Sequence, residues 1–281
     1  MMVLRAAEMG MCFGVRDALA VLDAVAAPMD VTIHGELVHN HQVLDDLAAR
    51  GFVQSDEQAR PVPATPVVLV TAHGVSERER ARLTAHGKRL VDTTCPLVAK
   101  AHAAAQALQA EGRRIVVIGR QAHVEVRGIV EDLRDPIVVG DARDVRCWSE
   151  PRLGVVCQTT TQATLAEAVV DAIRAANPRS DIRFVDTICS PTKARIASLD
   201  VLLPLVDGVV VVGGLHSNNT KQLAARVAAA GVPVMHIENA AGIAGKWLRG
   251  KRVIGLTAGT STLDVTIDEV ERALRGAACL T

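Results

Sequence analysis

The chain has 281 residues, 49% of them hydrophobic, with 31 basic and 31 acidic side chains and a formal net charge of zero. That balance supplies no basic field of the kind nucleic-acid and membrane-surface binders need, but it leaves room for a small anionic ligand held at a local site. The most apolar stretch, residues 201–215, is broken by Asp207 and falls short of the ~18 residues of a spanning helix.

Arg5 and Glu8 lie where a secretory leader needs an apolar core. The expectation is a cytosolic chain whose six cysteines are reduced, and so serve burial, catalysis or metal binding. Aromatic residues are 2% and tyrosine is absent, so Ala, Val and Leu must fill the core.

In chain order, a first strand leads to Cys12, and a helix is predicted over residues 18–26. A second strand leads towards Glu36 and His39-Asn40, followed by a helix at 41–50. The apolar run 67–70 leads to Thr71-Ala-His73-Gly74, and the run 89–91 to Cys95 and a helix at 96–110. Residues 115–118 lead to Gly119, His123 and Glu125. A run at 137–139 follows, and 153–156 leads to Cys157-Gln158-Thr159-Thr160 and a helix at 163–175. The run 182–185 leads to Cys189. Residues 209–212 lead to Ser217-Asn218-Asn219 and a helix at 221–230. Finally 253–256 leads to Thr257-Ala-Gly259-Thr-Ser261 and a helix at 265–274. Gly51, Gly87, Gly112, Gly231 and Gly276 are candidate helix stops. Continuous Val/Ile runs alternating with helical stretches predict an α/β fold with mostly parallel sheets.

A weak repeat runs through the chain. Asp92-Thr-Thr-Cys95 resembles Asp186-Thr-Ile-Cys189, each after a strand and opening a helix, and Cys12 sits in an equivalent place. The expected division is three similar βα lobes, at residues 13–95, 96–186 and 187–281, with residues 1–12 carrying the first cysteine to their centre.

In open α/β sheets, ligands bind beyond the carboxyl ends of the strands. Nearly all the unusual side chains here fall at those ends. Thiolates suit soft metals and iron–sulfur clusters. Cys12, Cys95 and Cys189 could ligate three irons of a cubane and leave the fourth open, or any one of them could be a small buried hydrophobe. Three in matched contexts favour the ligand reading. Cys147 and Cys279 lack that context and read as structural or exposed; Cys157 fits either use. His39, His73 and His123 could bind an anionic oxygen or relay a proton, or simply cap loops; the other six histidines read as ordinary. Glu125 could be a buried proton donor or a helix N-terminal carboxylate. Ser217, Asn219 and Ser261, just before helices, could surround a phosphate or act as plain N-caps. Neither a P-loop nor a dinucleotide fingerprint is present.

Cys12-Phe-Gly-Val, Leu37-Val-His39-Asn40, Ala72-His73-Gly74-Val-Ser76, Asp92-Thr-Thr-Cys95-Pro-Leu-Val, His123-Val-Glu125, Gln158-Thr159-Thr160, Cys189 and Thr257-Ala-Gly259 occur in this order. Together they resemble the 4-hydroxy-3-methylbut-2-enyl diphosphate reductase (LytB) family, and the likeness runs from Cys12 to Ser261. It implies a three-lobed fold around a central [4Fe–4S] cluster. It implies reductive removal of an allylic hydroxyl to give isopentenyl and dimethylallyl diphosphates, the last step of the non-mevalonate isoprenoid pathway. Electrons would come one at a time from a ferredoxin or flavodoxin. Carried over by position, Cys12, Cys95 and Cys189 would ligate the cluster, and Glu125 would deliver protons through Thr159. His123 would lie beside the proton path, and His39, His73, Ser217, Asn219 and Ser261 would hold the diphosphate.

The chain departs from the family pattern at several places. Asn218 stands where a serine is usual and can still donate to phosphate. Cys157 replaces a threonine, Val124 and Leu263 replace prolines, Ile196 replaces a glutamine, and the C-terminal tail is short. These changes leave open a paralogue reducing another oxygenated substrate. A non-catalytic cluster-binding sensor is a third reading, against which Glu125 and Thr159 count, because a sensor needs no proton donor.

Overall fold

The computed structural model describes residues 1–38 and 40–277. The helical and extended segments in chain order are β1 (Met2–Arg5), α1 (Phe13–Asp23), β2 (Val31–His34), α2 (His41–Ala49), β3 (Val53–Gln54), β4 (Val67–Val70), α3 (Glu77–Ala85), β5 (Arg89–Asp92), α4 (Pro96–Ala110), β6 (Arg114–Ile118) and α5 (Val124–Val130). They continue with β7 (Ile137–Val139), β8 (Arg152–Cys157), α6 (Ala163–Ala176), β9 (Asp181–Phe184), α7 (Ser190–Leu202), β10 (Gly208–Val212), α8 (Asn218–Ala229), β11 (Val234–Ile237), α9 (Gly245–Leu248), β12 (Val253–Ala258) and α10 (Asp264–Ala277).

The strands form three four-stranded sheets, ordered β1-β12-β10-β11, β3-β2-β4-β5 and β7-β6-β8-β9. Every strand pairing is parallel. The expected α/β class with three parallel-sheet lobes is thus present. The chain also divides into two compact units. One comprises Met1–Arg16, His39–Val43 and Ser190–Thr281, and contains the first of these sheets; the other comprises Asp17–Val38 and Leu44–Cys189, and contains the remaining two.

In each sheet one central strand, β10, β4 or β6, is buried on both faces, which is why it reads as an apolar run of Val, Ile and Leu. In β10 the period of two sorts the side chains. Val210 and Val212 pack with Ile267, Val270 and Leu274 of α10, whereas Val209 and Val211 pack with Leu199 of α7 and Leu223 and Val227 of α8. In the β6–β9 sheet, Val116 and Ile118 face Val169, Val170 and Ile173 of α6, while Ile115 and Val117 face Ala101, Ala105 and Leu108 of α4. Small side chains in α4 let that helix lie close on the sheet.

Several local expectations are corrected. The first helix starts at Phe13, directly after Cys12, and ends at Asp23 rather than residue 26. Helix α3, ERERARLTA, is so polar that no apolar period announces it; it buries only Glu79 and Leu83. Strand β11 has no counterpart among the expected runs. Gly51, Gly87, Gly112 and Gly231 take positive φ, as helix-terminating glycines do, but Gly276 lies inside α10.

Candidate active site

The three cysteines share one local construction. β1, β5 and β9 are edge strands, and Cys12, Cys95 and Cys189 lie beyond their carboxyl ends. Each cysteine directly precedes a helix: α1, α4 and α7. Each backbone N–H donates to the carbonyl of the residue two past the end of the neighbouring strand. Cys12 bonds Thr260 after β12 (3.1 Å), Cys95 bonds Ala72 after β4 (3.1 Å), and Cys189 bonds Thr159 after β8 (2.9 Å). The weak sequence repeat therefore has a backbone counterpart. All three thiols are half-buried and in no disulfide. Three soft donors of this kind fit an iron–sulfur cluster. Among the described residues no three His, Cys, Asp or Glu side chains gather around one point as ligands of a single metal ion; a cubane makes a different demand, one thiolate per iron. Cys157 is buried in the β8 core and Cys147 is exposed; Cys279 lies outside the described residues.

In the second unit, Glu125 sits in the first turn of α5 and is 1% exposed. One carboxylate oxygen accepts from the Thr159 backbone N–H (2.6 Å) and the other from the Thr159 hydroxyl (3.0 Å). Burial raises its pKa to about 7, against the two Thr159 bonds, which favour the charged form. Helix N-terminal placement and a raised pKa, alternatives in the sequence, are both realised, and desolvation outweighs the bonds. His123 is the N-cap of α5, its Nδ1 accepting from the Glu125 N–H (3.2 Å). The His73 and His123 rings meet edge to face, 5.7 Å between centroids. His73 rides on a tight turn closed by a Gly74 N–H to Thr71 carbonyl bond (2.9 Å). Gly74 has φ of +70°, and a Cβ there would come within 3.0 Å of Thr94, next to Cys95. Hydrogen bonds link His123, Glu125, Thr159 and the Cys189 backbone, a ring contact adds His73, and the Cys95 N–H bonds Ala72, the residue before His73.

The other unit carries a second set. Ser217 is the N-cap of α8, and its hydroxyl accepts from the Thr220 N–H at 3.4 Å. Asn218 and Asn219 are the first two residues of that helix, so Asn219 lies inside it rather than before it. The Asn219 side-chain oxygen accepts from the Thr260 N–H (3.0 Å), which ties the α8 turn to the turn after β12. Ser261, in that second turn, is 5% exposed, and its hydroxyl has no hydrogen-bond partner among the described residues. A buried hydroxyl left unsatisfied costs free energy, which makes Ser261 a candidate to meet a ligand oxygen. Thr260 joins this set to Cys12 through its carbonyl. His39 lies outside the described residues.

Sequence reasoning passed over several supporting residues. Asn40 donates to the Ser261 carbonyl (2.7 Å) and fixes that turn. Gln158 accepts from the Arg120 N–H (3.1 Å) and donates to the Thr160 hydroxyl (3.0 Å), bracing the turn that presents Thr159. Both were legible only as members of motifs, because their work is to hold backbone. Gly259 admits no side chain: a Cβ would lie 2.0 Å from the Thr220 hydroxyl.

A family model described as "LytB protein" matches residues 3–275. A protein of Azoarcus sp. strain BH72, named 4-hydroxy-3-methylbut-2-enyl diphosphate reductase, is 36% identical over 279 residues, covering 97% of this chain and 89% of the relative. One of that name from Bordetella pertussis is 36% identical over 281 residues, covering 97% and 86%. A solved structure of (E)-4-hydroxy-3-methyl-but-2-enyl diphosphate reductase, described as the terminal enzyme of the non-mevalonate pathway, matches with a TM-score of 0.70 and 29% identity, covering 98% of this chain and all of that one. The reductase structure from Plasmodium falciparum matches with a TM-score of 0.86 at 24% identity, covering 96% and 87%, and speaks for the fold alone. With a family model spanning nearly the whole chain and relatives above one-third identity, this chain belongs to the LytB family, which uses an iron–sulfur cluster.

Proposed function

We propose that the chain is an iron–sulfur oxidoreductase that removes the allylic hydroxyl of (E)-4-hydroxy-3-methylbut-2-enyl diphosphate. The products are isopentenyl and dimethylallyl diphosphates and water, and the step is the last of the non-mevalonate isoprenoid pathway. The relatives' shared name supports the substrate. The observation that carries the chemistry is Glu125, a buried carboxyl with a pKa near neutrality clasped by Thr159. Reduction of the C–O bond takes up two electrons and two protons. One proton leaves with the hydroxyl as water and the other ends on carbon. A carboxyl still protonated at physiological pH can donate the first.

Cys12, Cys95 and Cys189 would hold the cluster, in our reading a [4Fe–4S] with one iron open. When bound, it would supply Lewis acidity at the substrate oxygen and one-electron transfer. His39, His73, Ser217, Asn218, Asn219 and Ser261 would bind the diphosphate, with imidazole, amide and hydroxyl donors and the α8 N–H groups facing its negative charge. Thr159 would orient the Glu125 carboxyl, and His123 would stand beside the proton path. The electron donor we propose is a ferredoxin or flavodoxin in the cytosol. No helix among the described residues is long and apolar enough to cross a membrane.

The test is anaerobic turnover of the cluster-reconstituted protein with a reduced viologen and this substrate, read by mass spectrometry. Both five-carbon diphosphates should form. A loaded, reducible cluster with no product would point instead to a paralogue with another oxygenated substrate. A chain that binds no iron and sulfide would sink the three-cysteine reading.

A further inference from the structure

The three cysteine turns are not equivalent in length. Cys95 lies three residues beyond the end of β5 and Cys189 five beyond β9, but Cys12 lies seven beyond β1. A longer connection has more conformations to lose and needs more ties to hold its last residue still. The segment from Ala6 to Cys12 has them. Its N–H groups donate to Leu256 (from Ala6, 2.9 Å), Ala258 (from Gly10, 3.2 Å) and Thr260 (from Cys12, 3.1 Å), all on or just beyond β12. Helix α7 supplies two more. The Ser198 hydroxyl accepts from the Glu8 N–H (2.9 Å), and the Arg195 guanidinium donates to the Gly10 carbonyl. Arg195 also donates to the Pro191 carbonyl of its own helix (3.0 Å).

Arg195 breaks the threefold pattern. It stands six residues after Cys189 and is 4% exposed. The residues six after Cys12 and six after Cys95 are Ala18 and Ala101, both fully buried. At the same inward-facing position the chain thus has two alanines and one arginine. A buried guanidinium is costly and persists where its donors meet acceptors. Here it meets the carbonyl two residues before Cys12.

We propose that Arg195 is a positioning residue that holds the Gly10–Cys12 segment in the conformation presenting the Cys12 thiol, an asymmetric strut required by the longest of the three cysteine turns. Its relevance to the cluster rests on the reading of Cys12 as a ligand, but the strut itself is a property of the chain without iron.

The test therefore uses the full-length, iron-free protein. Wild type, Arg195→Met and Arg195→Lys are treated anaerobically with iodoacetamide, and alkylation is followed at Cys12, Cys95 and Cys189 by peptide mass spectrometry. Met keeps the volume without donors; Lys keeps the charge with a single donor group and is the milder variant should Met fold poorly. Loss of a charge-assisted bond predicts about a ten-fold change in Cys12 alkylation rate in Arg195→Met, and a smaller one in Arg195→Lys. The Cys95 rate in the same molecules should stay within about two-fold of wild type, because the Cys95 backbone N–H is held by Ala72 beside its own sheet. An equal change at all three thiols in both variants, or none at Cys12, would overturn the strut. Iron retention by Cys12→Ser is measured separately: if that variant holds the cluster as well as wild type, the ligand reading fails while the strut stands or falls on alkylation alone.

Discussion

Thr159 grips Glu125 with both its backbone N–H and its hydroxyl, while its carbonyl accepts the N–H of Cys189. One residue thus couples the only described carboxyl whose pKa burial drives to about 7 with the backbone of a candidate cluster ligand. The hydroxyl bond opposes the rise, so Thr159 holds the acid in place and keeps its pKa from climbing further. In the other unit Thr260 has a comparable post, its N–H bonded to Asn219 and its carbonyl to Cys12.

Replacing Glu125 by Gln should leave iron content and the cluster's visible spectrum unchanged and lower turnover by about 10²–10⁴-fold, the usual worth of a positioned proton donor. Glutamine can still accept from the Thr159 N–H, so the fold survives. Turnover within a few-fold of wild type would remove Glu125 from the proton path. Thr159→Val removes only the hydroxyl, which favours the charged form, and should move the alkaline limb of the activity profile to higher pH.

The same carboxyl makes stability depend on pH, with a definite sign. Between its ordinary 4.5 and about 7, Glu125 holds a proton in the folded state that the unfolded chain has released. The unfolded state therefore binds fewer protons, and stability falls as pH rises through that window. The contribution is on the order of 3 kcal/mol, since each tenfold change in proton affinity is worth about 1.4 kcal/mol. Glu125→Gln abolishes this titration. In the iron-free protein the variant should match wild type near pH 5 and exceed it near pH 8 in urea unfolding. Parallel pH profiles would show that Glu125 titrates normally.

How far the sequence carried depends on what each residue does for its own segment. Val67–Val70 and Val209–Val212 announce central strands because burial on both faces writes an unbroken apolar run. Cys12, Cys95 and Cys189 stand out because they recur at strand–helix turns, and the matching N–H bonds give that recurrence a structural basis. What stayed hidden acts at long range or without an apolar signature. Arg195 reaches Gly10 across 185 positions, Asn40 reaches Ser261 across 221, and α3 is a nearly all-polar helix. Asn219 reads as lying outside its helix because capping side chains and first-turn side chains are the same residue types.

Gly259 should tolerate nothing larger. The Thr220 hydroxyl occupies the space of its missing Cβ, and Thr220 is itself fully buried between Gly259 and Gly213. Gly259→Ala forces the β12 turn away from α8 and strains the Asn219–Thr260 bond. A loss of about 1–3 kcal/mol in chemical unfolding is expected, as for other overpacked cores, with substrate affinity falling alongside. Unchanged stability would mean that the two turns separate freely.

Ser261 separates binding from stability in the opposite direction. Its hydroxyl is buried and unbonded among the described residues, while its carbonyl is fixed by Asn40. Ser261→Ala discards a polar atom that the empty fold leaves unsatisfied, so the free protein should be unchanged or up to about 1 kcal/mol more stable. If that hydroxyl waits for a phosphate oxygen, the same change should raise KM about ten-fold with kcat little altered, since a bond made equally to substrate and transition state affects binding alone. Asn40→Ala leaves the hydroxyl but frees the turn, and should raise KM while lowering stability. Thermal unfolding and steady-state kinetics on the two variants distinguish a ligand contact from its support. A Ser261→Ala protein that is destabilised with KM unchanged would show that the hydroxyl serves the fold instead of the substrate.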